Sequence, residues 1–358
     1  MSIHFRYIEQ PDDWNATIDE FNISKGFSLD YDWLESKSFQ NISKTVRVIA
    51  LNKNNEPIAA IQGLLVNLER PPFLSRRMLV LGGLEGGSIV APEISGDSNA
   101  LLALVKEVLR SLDSVRRKIK TVLSFEIWTI HIHPMNDYLS NILRKLRFEP
   151  IQRKTPILSL IPSRNELWEN LSKKTRNVIR QADSRGVTIA DQTSEKGLER
   201  YVTMKNKEYG TVSDKDIAMY RKLLSKKLLW VLEARLKDEV LASGLFSTAN
   251  SETGYLGSAM NKNFQWYRPM DAIMWEAIQK AKEDGSISFN MFGADSSNSK
   301  LYGITKFKMG FGCTYQEYTS FIKIRANLLG RNISRNRWEL YLLRLIQQNP
   351  LLRKLSPV

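Results

Sequence analysis

The residues best suited to chemistry lie near the C-terminal end, where Phe289–Tyr315 reads FNMFGADSSNSKLYGITKFKMGFGCTY. Lys308 sits there between Phe307 and Met309, just before a Gly310-Phe311-Gly312 stop. A fixed ammonium can stabilise the oxyanion that develops when an acyl carbonyl is attacked. By residue type alone, a solvated helix lysine is the commoner reading. A second group, Lys173, Arg176 and Arg180, recurs at spacings of three and four. That places three cations on one face of a helix whose other face carries Leu167, Leu171, Val178 and Ala182. Such a stripe either binds phosphate or is simply solvated, and spacing does not separate the two.

Other chemistry is poorly supported. His131 and His133 stand two apart on a strand candidate, but a metal needs further ligands, and the chain holds three histidines and one cysteine. No metal site is expected. Gly82–Gly87, GGLEGG, lacks the Lys-Ser/Thr of a phosphate-binding P-loop and reads as a turn. Cys313 has no sequence-marked base, and no Ser-His-Asp set is legible.

The elements that position these groups alternate. Helices are predicted at Pro11–Phe21, Leu29–Lys37, Asn99–Val115 and Asp137–Leu146, with strands at Thr45–Asn52, Ile58–Asn67, Arg77–Leu81 and Val122–His131. Ser163 stands three residues before Glu166, a capping-box pattern opening a helix that runs to Gly186. Strands at Leu228–Ala234, Val240–Thr248 and Gly254–Met260 follow, then a helix from Met270 to Gly285. Two stretches match: LSFEIWTIHIHPMNDYLSNILRKLRFEPI and ISFNMFGADSSNSKLYGITKFKMGFGCTY both run strand, breaker, helix, Phe, strand. Phe125 to Phe148 is 23 positions and Phe289 to Phe311 is 22. The match suggests two copies of one α/β unit.

A chain of 358 residues is long for one core, so two domains are expected. The single cysteine suits a reducing compartment, and no apolar run spans a bilayer. With no apolar leader in MSIHFRYIEQPDDWN, the expectation is a cytosolic monomer, at most peripheral to a membrane. The net charge of +14 points to a polyanionic partner: nucleic acid, a phosphorylated metabolite or an anionic surface. From Phe321 to Val358, eight Lys/Arg face one acid, Glu339. WELYLLRLIQQNPLLRKL in this stretch has the pattern of an amphipathic helix that docks on the first domain or lies on anionic lipid.

LWENLSKKTRNVIRQADSRGVTI resembles the helix that opens the second domain of the Fem-type (FemABX-like) peptidyltransferases. MDAIMWEAIQKAKEDGSISFNMFGADSSNSKLYGITKFKMGFG resembles that family's closing motif, and FSLDYDWLESKS and IHIHP are compatible with its first half. The resemblance implies two tandem acetyltransferase-like (GNAT) domains, here about 1–155 and 156–325, with 326–358 packing back on the first. Gln192–Trp230 leaves no room for the coiled-coil arm of some members. The implied reaction moves an amino acid from aminoacyl-tRNA to an amine of the peptide of a nucleotide- or lipid-linked cell-wall, peptidoglycan-like precursor, with no cofactor. By the same resemblance Lys308 stabilises the tetrahedral intermediate and Phe307 flanks it. Arg176, Arg180 and Lys173 take substrate phosphate. Tyr255, on the strand before the cleft, is either a substrate contact or a core tyrosine, and Asp295 is a further candidate for substrate contact.

The main rival is an N-acyltransferase using acyl-CoA, which binds pyrophosphate at a Gly-rich turn before a helix. MNKNFQWYRPMDAI at the helix expected at Asp271 has no glycine, and APEISGDSNA at the helix expected at Asn99 has one, so neither fits. A non-catalytic RNA-binding protein suits the charge but lacks the RNP, KH and zinc-knuckle patterns.

Overall fold

The computed structural model describes residues 4–21, 26–38, 43–69, 74–81, 89–90, 103, 106, 123–133, 137–145, 147–293 and 299–326. Gly82–Gly87, Asp295, the segment beyond Ala326 and nearly all of the helix expected at Asn99–Val115 lie outside these residues.

Thirteen described strands form one mixed sheet. The first half contributes β1 (His4–Tyr7), β2 (Ser43–Leu51), β3 (Pro57–Glu69), β4 (Leu74–Leu81), β5 (Ile89–Val90), β6 (Leu123–His133) and β7 (Glu149–Ser159). The second contributes β8 (Thr188–Asp191), β9 (Leu229–Leu236), β10 (Glu239–Ala249), β11 (Glu252–Met260), β12 (Ser288–Asn290) and β13 (Thr314–Ala326). Across the sheet the order is β1-β2-β3-β4-β6-β13-β7-β12-β11-β10-β9-β8, with β5 beside β3 and β6.

That order contains an exchange. Each half contains parallel pairing, β4 and β5 with β6 in the first and β11 with β12 in the second. The neighbour of β6 is then β13, the last described strand, while the neighbour of β12 is β7 from the first half. β13 and β7 pair antiparallel with each other from Thr314↔Ile157 to Ile322↔Glu149. The two strand–helix–strand units matched in the sequence are β6–α–β7 and β12–α–β13, and each ends by lending its last strand to the opposite side. The boundary expected at 155/156 therefore falls inside β7.

The described helices are α1 (Pro11–Glu20), α2 (Tyr31–Ser36), α3 (Asp137–Lys145), α4 (Arg164–Asn170), α5 (Lys173–Ser184), α6 (Glu195–Tyr209), α7 (Asp214–Ser225), α8 (Pro269–Glu283) and α9 (Ser299–Met309). The single helix expected from Ser163 to Gly186 is two. The capping box forms at Ser163 and Glu166 as expected. The helix then stops at Leu171 because Ser172 is itself an N-cap, its Oγ accepting from the Thr175 amide at 3.1 Å. Helices α6 and α7 fill the stretch Gln192–Trp230, which the sequence reading left without elements.

β9 is buried on both sides, and its side chains alternate between two cores. Trp230, Leu232 and Ala234 join Ile179 and Ala182 of α5, the Ile273/Ala277/Ala281 stripe of α8, and Phe289 and Phe311. Leu229 and Val231 face Leu198, Tyr201 and Leu223 of α6 and α7 on the other side. Phe27 and Trp33, from the first half, are buried in that second core. Each fully buried aromatic contributes about 2–3 kcal/mol, so the halves are fastened by packing as well as by strand exchange.

Candidate active site

β11 and β12 pair only from Glu252↔Ser288 to Gly254↔Asn290. Beyond Gly254 the edge of β11 has no strand partner among the described residues, and a bulge near Leu256 interrupts its register with β10. A stretch of β11 without a strand partner on that side, here called the β11–β12 opening, thus begins where β12 ends.

The chain leaves β12 through a strained turn. Phe292 and Gly293 both take left-handed backbone, φ 45° and 55°. For a phenylalanine that conformation costs about 1–2 kcal/mol, so neighbours have to impose it. Asn290 is one, its Oδ1 accepting from the Phe292 amide at 3.0 Å and from Thr155 Oγ1 at 3.0 Å. Asn290 Nδ2 donates to Glu252 at 2.7 Å, and the other oxygen of Glu252 accepts from the Phe27 amide at 3.1 Å. The Phe292 ring packs 5.5 Å from that of Phe27 and lies over Gly254, where a Cβ would stand 2.3 Å from it. Gly254 is thus required by a ring contributed from the turn.

Lys308, near the end of α9, is the other neighbour. Its Nζ donates to the carbonyl oxygens of Phe292 and, at 3.0 Å, Gly293. It is 8% exposed, and burial pulls its pKa down to about 8. Two of its three N–H groups are used, and the third has no partner among the described residues. The Phe307 and Phe311 rings meet edge to face at 5.2 Å, with Phe311 fully buried. Lys308 is therefore no solvated helix lysine. It is a buried cation at the mouth of the β11–β12 opening.

The glycine stop after it is a contact. The Ser172 amide, at the start of α5, donates to the Gly310 carbonyl at 2.9 Å, and a Cβ on Gly310 would stand 2.5 Å from Thr175 Oγ1. The end of the Lys308 helix and the start of α5 thus touch through backbone.

Lys173, Arg176 and Arg180 lie on α5, which starts at this junction, and Tyr255 lies on β11. Arg176 turns inward: Nη1 donates to the carbonyls of Glu169 at 2.5 Å and Leu171 at 2.9 Å, and it lies 3.5 Å from the Glu169 carboxylate. It ties α4 to α5. Arg180 is exposed, its guanidinium 5.3 Å from the Trp168 ring centroid, and Lys173 is exposed at the first turn of α5. Tyr255 packs on Phe246 at 5.7 Å and donates its hydroxyl to Ser258 Oγ at 2.6 Å, burial raising its pKa.

Sequence reasoning missed Lys205. Its Nζ reaches the open edge of β11, donating to the Ser258 carbonyl at 2.9 Å, and burial lowers its pKa. It missed Asn290 and Glu252 as well, whose roles arise only when three strands meet. The Asn immediately after Phe289 was the available signal. Among the described residues, no group of three or more His, Cys, Asp or Glu could hold a metal ion, and no helix is long and apolar enough to cross a membrane.

The segment holding the β11–β12 opening and Lys308 matches the model of the FemAB family from 230 to 327. A search of curated proteins found no match. Among solved structures the chain is similar to that of FemX, with 14% identity, a TM-score of 0.64, and 89% of this chain and 97% of that one covered. It is also similar to a tandem GNAT protein from the clavulanic acid biosynthesis pathway, at 7% identity and TM-score 0.55, covering 90% and 98%. L-PGS from Bacillus licheniformis follows the same fold at 14% identity and TM-score 0.51, covering 87% and 91%. At such identities these are likenesses of fold, and the fold is tandem GNAT-like. The FemAB segment contains Tyr255, Phe307 and Lys308, while Lys173, Arg176 and Arg180 precede it.

Proposed function

We propose that the chain is an aminoacyltransferase that moves an amino acid from aminoacyl-tRNA to an amine of a cell-wall precursor peptide. The observation that carries the reading is Lys308, buried and cationic beside the β11–β12 opening within the FemAB segment. The donor ester is already activated, so the protein has to position the partners and stabilise charge. The acceptor nitrogen attacks the ester carbonyl carbon, forming the C–N bond and an oxyanion to which the remaining Lys308 N–H donates. As the tetrahedral intermediate collapses, the C–O bond to the terminal ribose breaks. The proton lost by the amine passes to the departing ribose oxygen. Phe307 flanks the lysine, Lys173 and Arg180 offer exposed positive charge to substrate phosphates, Arg176 holds α4 against α5 beside them, and Tyr255 contacts substrate.

The start of α8 favours this donor over acyl-CoA. A pyrophosphate would need free N–H groups at that helix end. Instead Pro269 at the first position has no N–H, and Asp271 puts a carboxyl in the first turn. Burial lifts the Asp271 pKa to about 6, which leaves it ionised at neutral pH.

The test is transfer of labelled amino acid from a charged mixed tRNA pool to a cell-wall precursor extract. RNase-sensitive incorporation is expected. Incorporation that survives RNase and requires acyl-CoA would sink the reading.

A further inference from the structure

Helix α5 exposes Lys173, Lys174 and Arg180, and from Lys173 to Arg185 it has five basic residues against one acid, Asp183. Its N-terminal end is bonded to Gly310, two residues beyond Lys308. At its other end, roughly 18 Å away along the helix axis, the Arg185 guanidinium lies 4.5 Å from the Trp266 ring centroid. Arg185 Nη1 also donates to the Trp266 carbonyl oxygen, so the same side chain fixes the backbone and covers the indole. Trp266 packs 4.2 Å from Tyr267 yet remains 52% exposed. It sits in the short 3-10 segment Lys262–Tyr267, directly between the open edge of β11 and the start of α8.

We propose that Trp266, oriented by Arg185, is a stacking platform for an unpaired base of the RNA donor, whose phosphates continue along α5 toward Lys308. The proposal rests on the aminoacyl-tRNA reading and adds a contact at the far end of the path. Three features carry it. An indole or guanidinium plane accepts any base, and stacking is the usual way proteins hold unpaired nucleotides. The basic face between the platform and Lys308 supplies the phosphate contacts that such binding needs. The neighbours Lys262, Asn263, Gln265 and Arg268 are exposed and polar, so the Trp266–Tyr267 ring pair is bordered by hydrogen-bonding groups. A membrane anchor would instead surround a tryptophan with exposed aliphatic side chains. The other large exposed ring close by, Tyr209, is flanked by Lys205 at 4.8 Å and Lys262 at 5.2 Å.

The experiment is binding of fluorescently labelled, deacylated tRNA to the full chain over a range of salt, followed by anisotropy. Trp266→Ala is expected to weaken binding about tenfold or more, with Trp266→Phe retaining most of it. The slope of log affinity against log salt stays unchanged in Trp266→Ala, because stacking releases no counterions, and falls by about one in Arg185→Ala. Wild-type affinity in Trp266→Ala would overturn the platform while leaving the RNA reading intact. Failure of the unaltered protein to bind tRNA would overturn that reading and the platform with it. Loss in Trp266→Ala of binding to vesicles of phosphatidylglycerol, with tRNA binding unaffected, would overturn the proposal in favour of a lipid surface.

Discussion

The Ser172 amide donates to the Gly310 carbonyl at 2.9 Å, joining the first turn of α5 to the end of the helix that carries Lys308. Through this bond a basic helix and a buried lysine, more than 130 positions apart in the chain, share one rigid corner. The glycine permits the approach, because any Cβ there would press on Thr175 Oγ1 at 2.5 Å.

Gly310→Ala is accordingly expected to destabilise the fold by about 1–3 kcal/mol, the usual cost of overpacking. Adding Thr175→Ala removes the oxygen that clashes and recovers part of the loss. Urea denaturation of the single and double variants measures both. A Gly310→Ala protein as stable as wild type would mean that the helix ends do not touch.

The exchanged strands predict that the halves cannot be separated where the sequence divides them. β7 pairs through Pro156 and Ile157 with β13 and through Ile157–Ser159 with β12, so a cut at 155/156 passes through a paired strand. A fragment of residues 1–155 is expected to lack dispersed amide resonances alone and to gain them when 156–358 is co-expressed. An independently folded 1–155 would contradict the exchange.

Much of this was legible in the sequence. Among the described residues, most of the expected helices and strands, the capping box at Ser163 and the matched units around Phe125–Phe148 and Phe289–Phe311 appear close to the expected positions, since each is set by local patterning. What sequence could not give was partnership. Nothing local says that β7 and β13 trade sides, because strand pairing is decided by contacts far apart in the chain. Arg176 and Arg180 share a helical face, yet Arg176 turns back to the carbonyls at the end of α4 while Arg180 stays exposed. Spacing gives the face, not the rotamer. Lys308 stood out as a lysine among aromatics, but its bonds depend on the left-handed turn at Phe292 and Gly293.

Lys308 also predicts a pH dependence. Its folded pKa lies near 8, below the ordinary 10.5, because burial disfavours the charge. Below about 8 it is protonated in both folded and unfolded states, and the full cost of burying the ammonium is borne. Between about 8 and 10.5 the folded protein sheds a proton that the unfolded chain keeps, so stability rises with pH through this group. Urea denaturation across that window should show wild type gaining on Lys308→Met. A stability difference between the two that does not change with pH would contradict a depressed lysine. Turnover has the opposite sign: it falls as pH rises through about 8, because the neutral amine no longer offers a full charge to the oxyanion.

The most direct test is steady-state aminoacyl transfer by Lys308→Met, with the fold and tRNA affinity verified on the same preparation. An interaction made chiefly in the transition state lowers kcat and leaves KM nearly unchanged. Loss of this donor is expected to reduce kcat by about 10²–10³. Lys308→Arg should recover little, since a planar fork cannot replace a compact ammonium held between two carbonyls. A folded, tRNA-binding Lys308→Met protein with near-wild-type kcat would contradict the role, leaving Lys308 as a clamp on the Phe292–Gly293 turn.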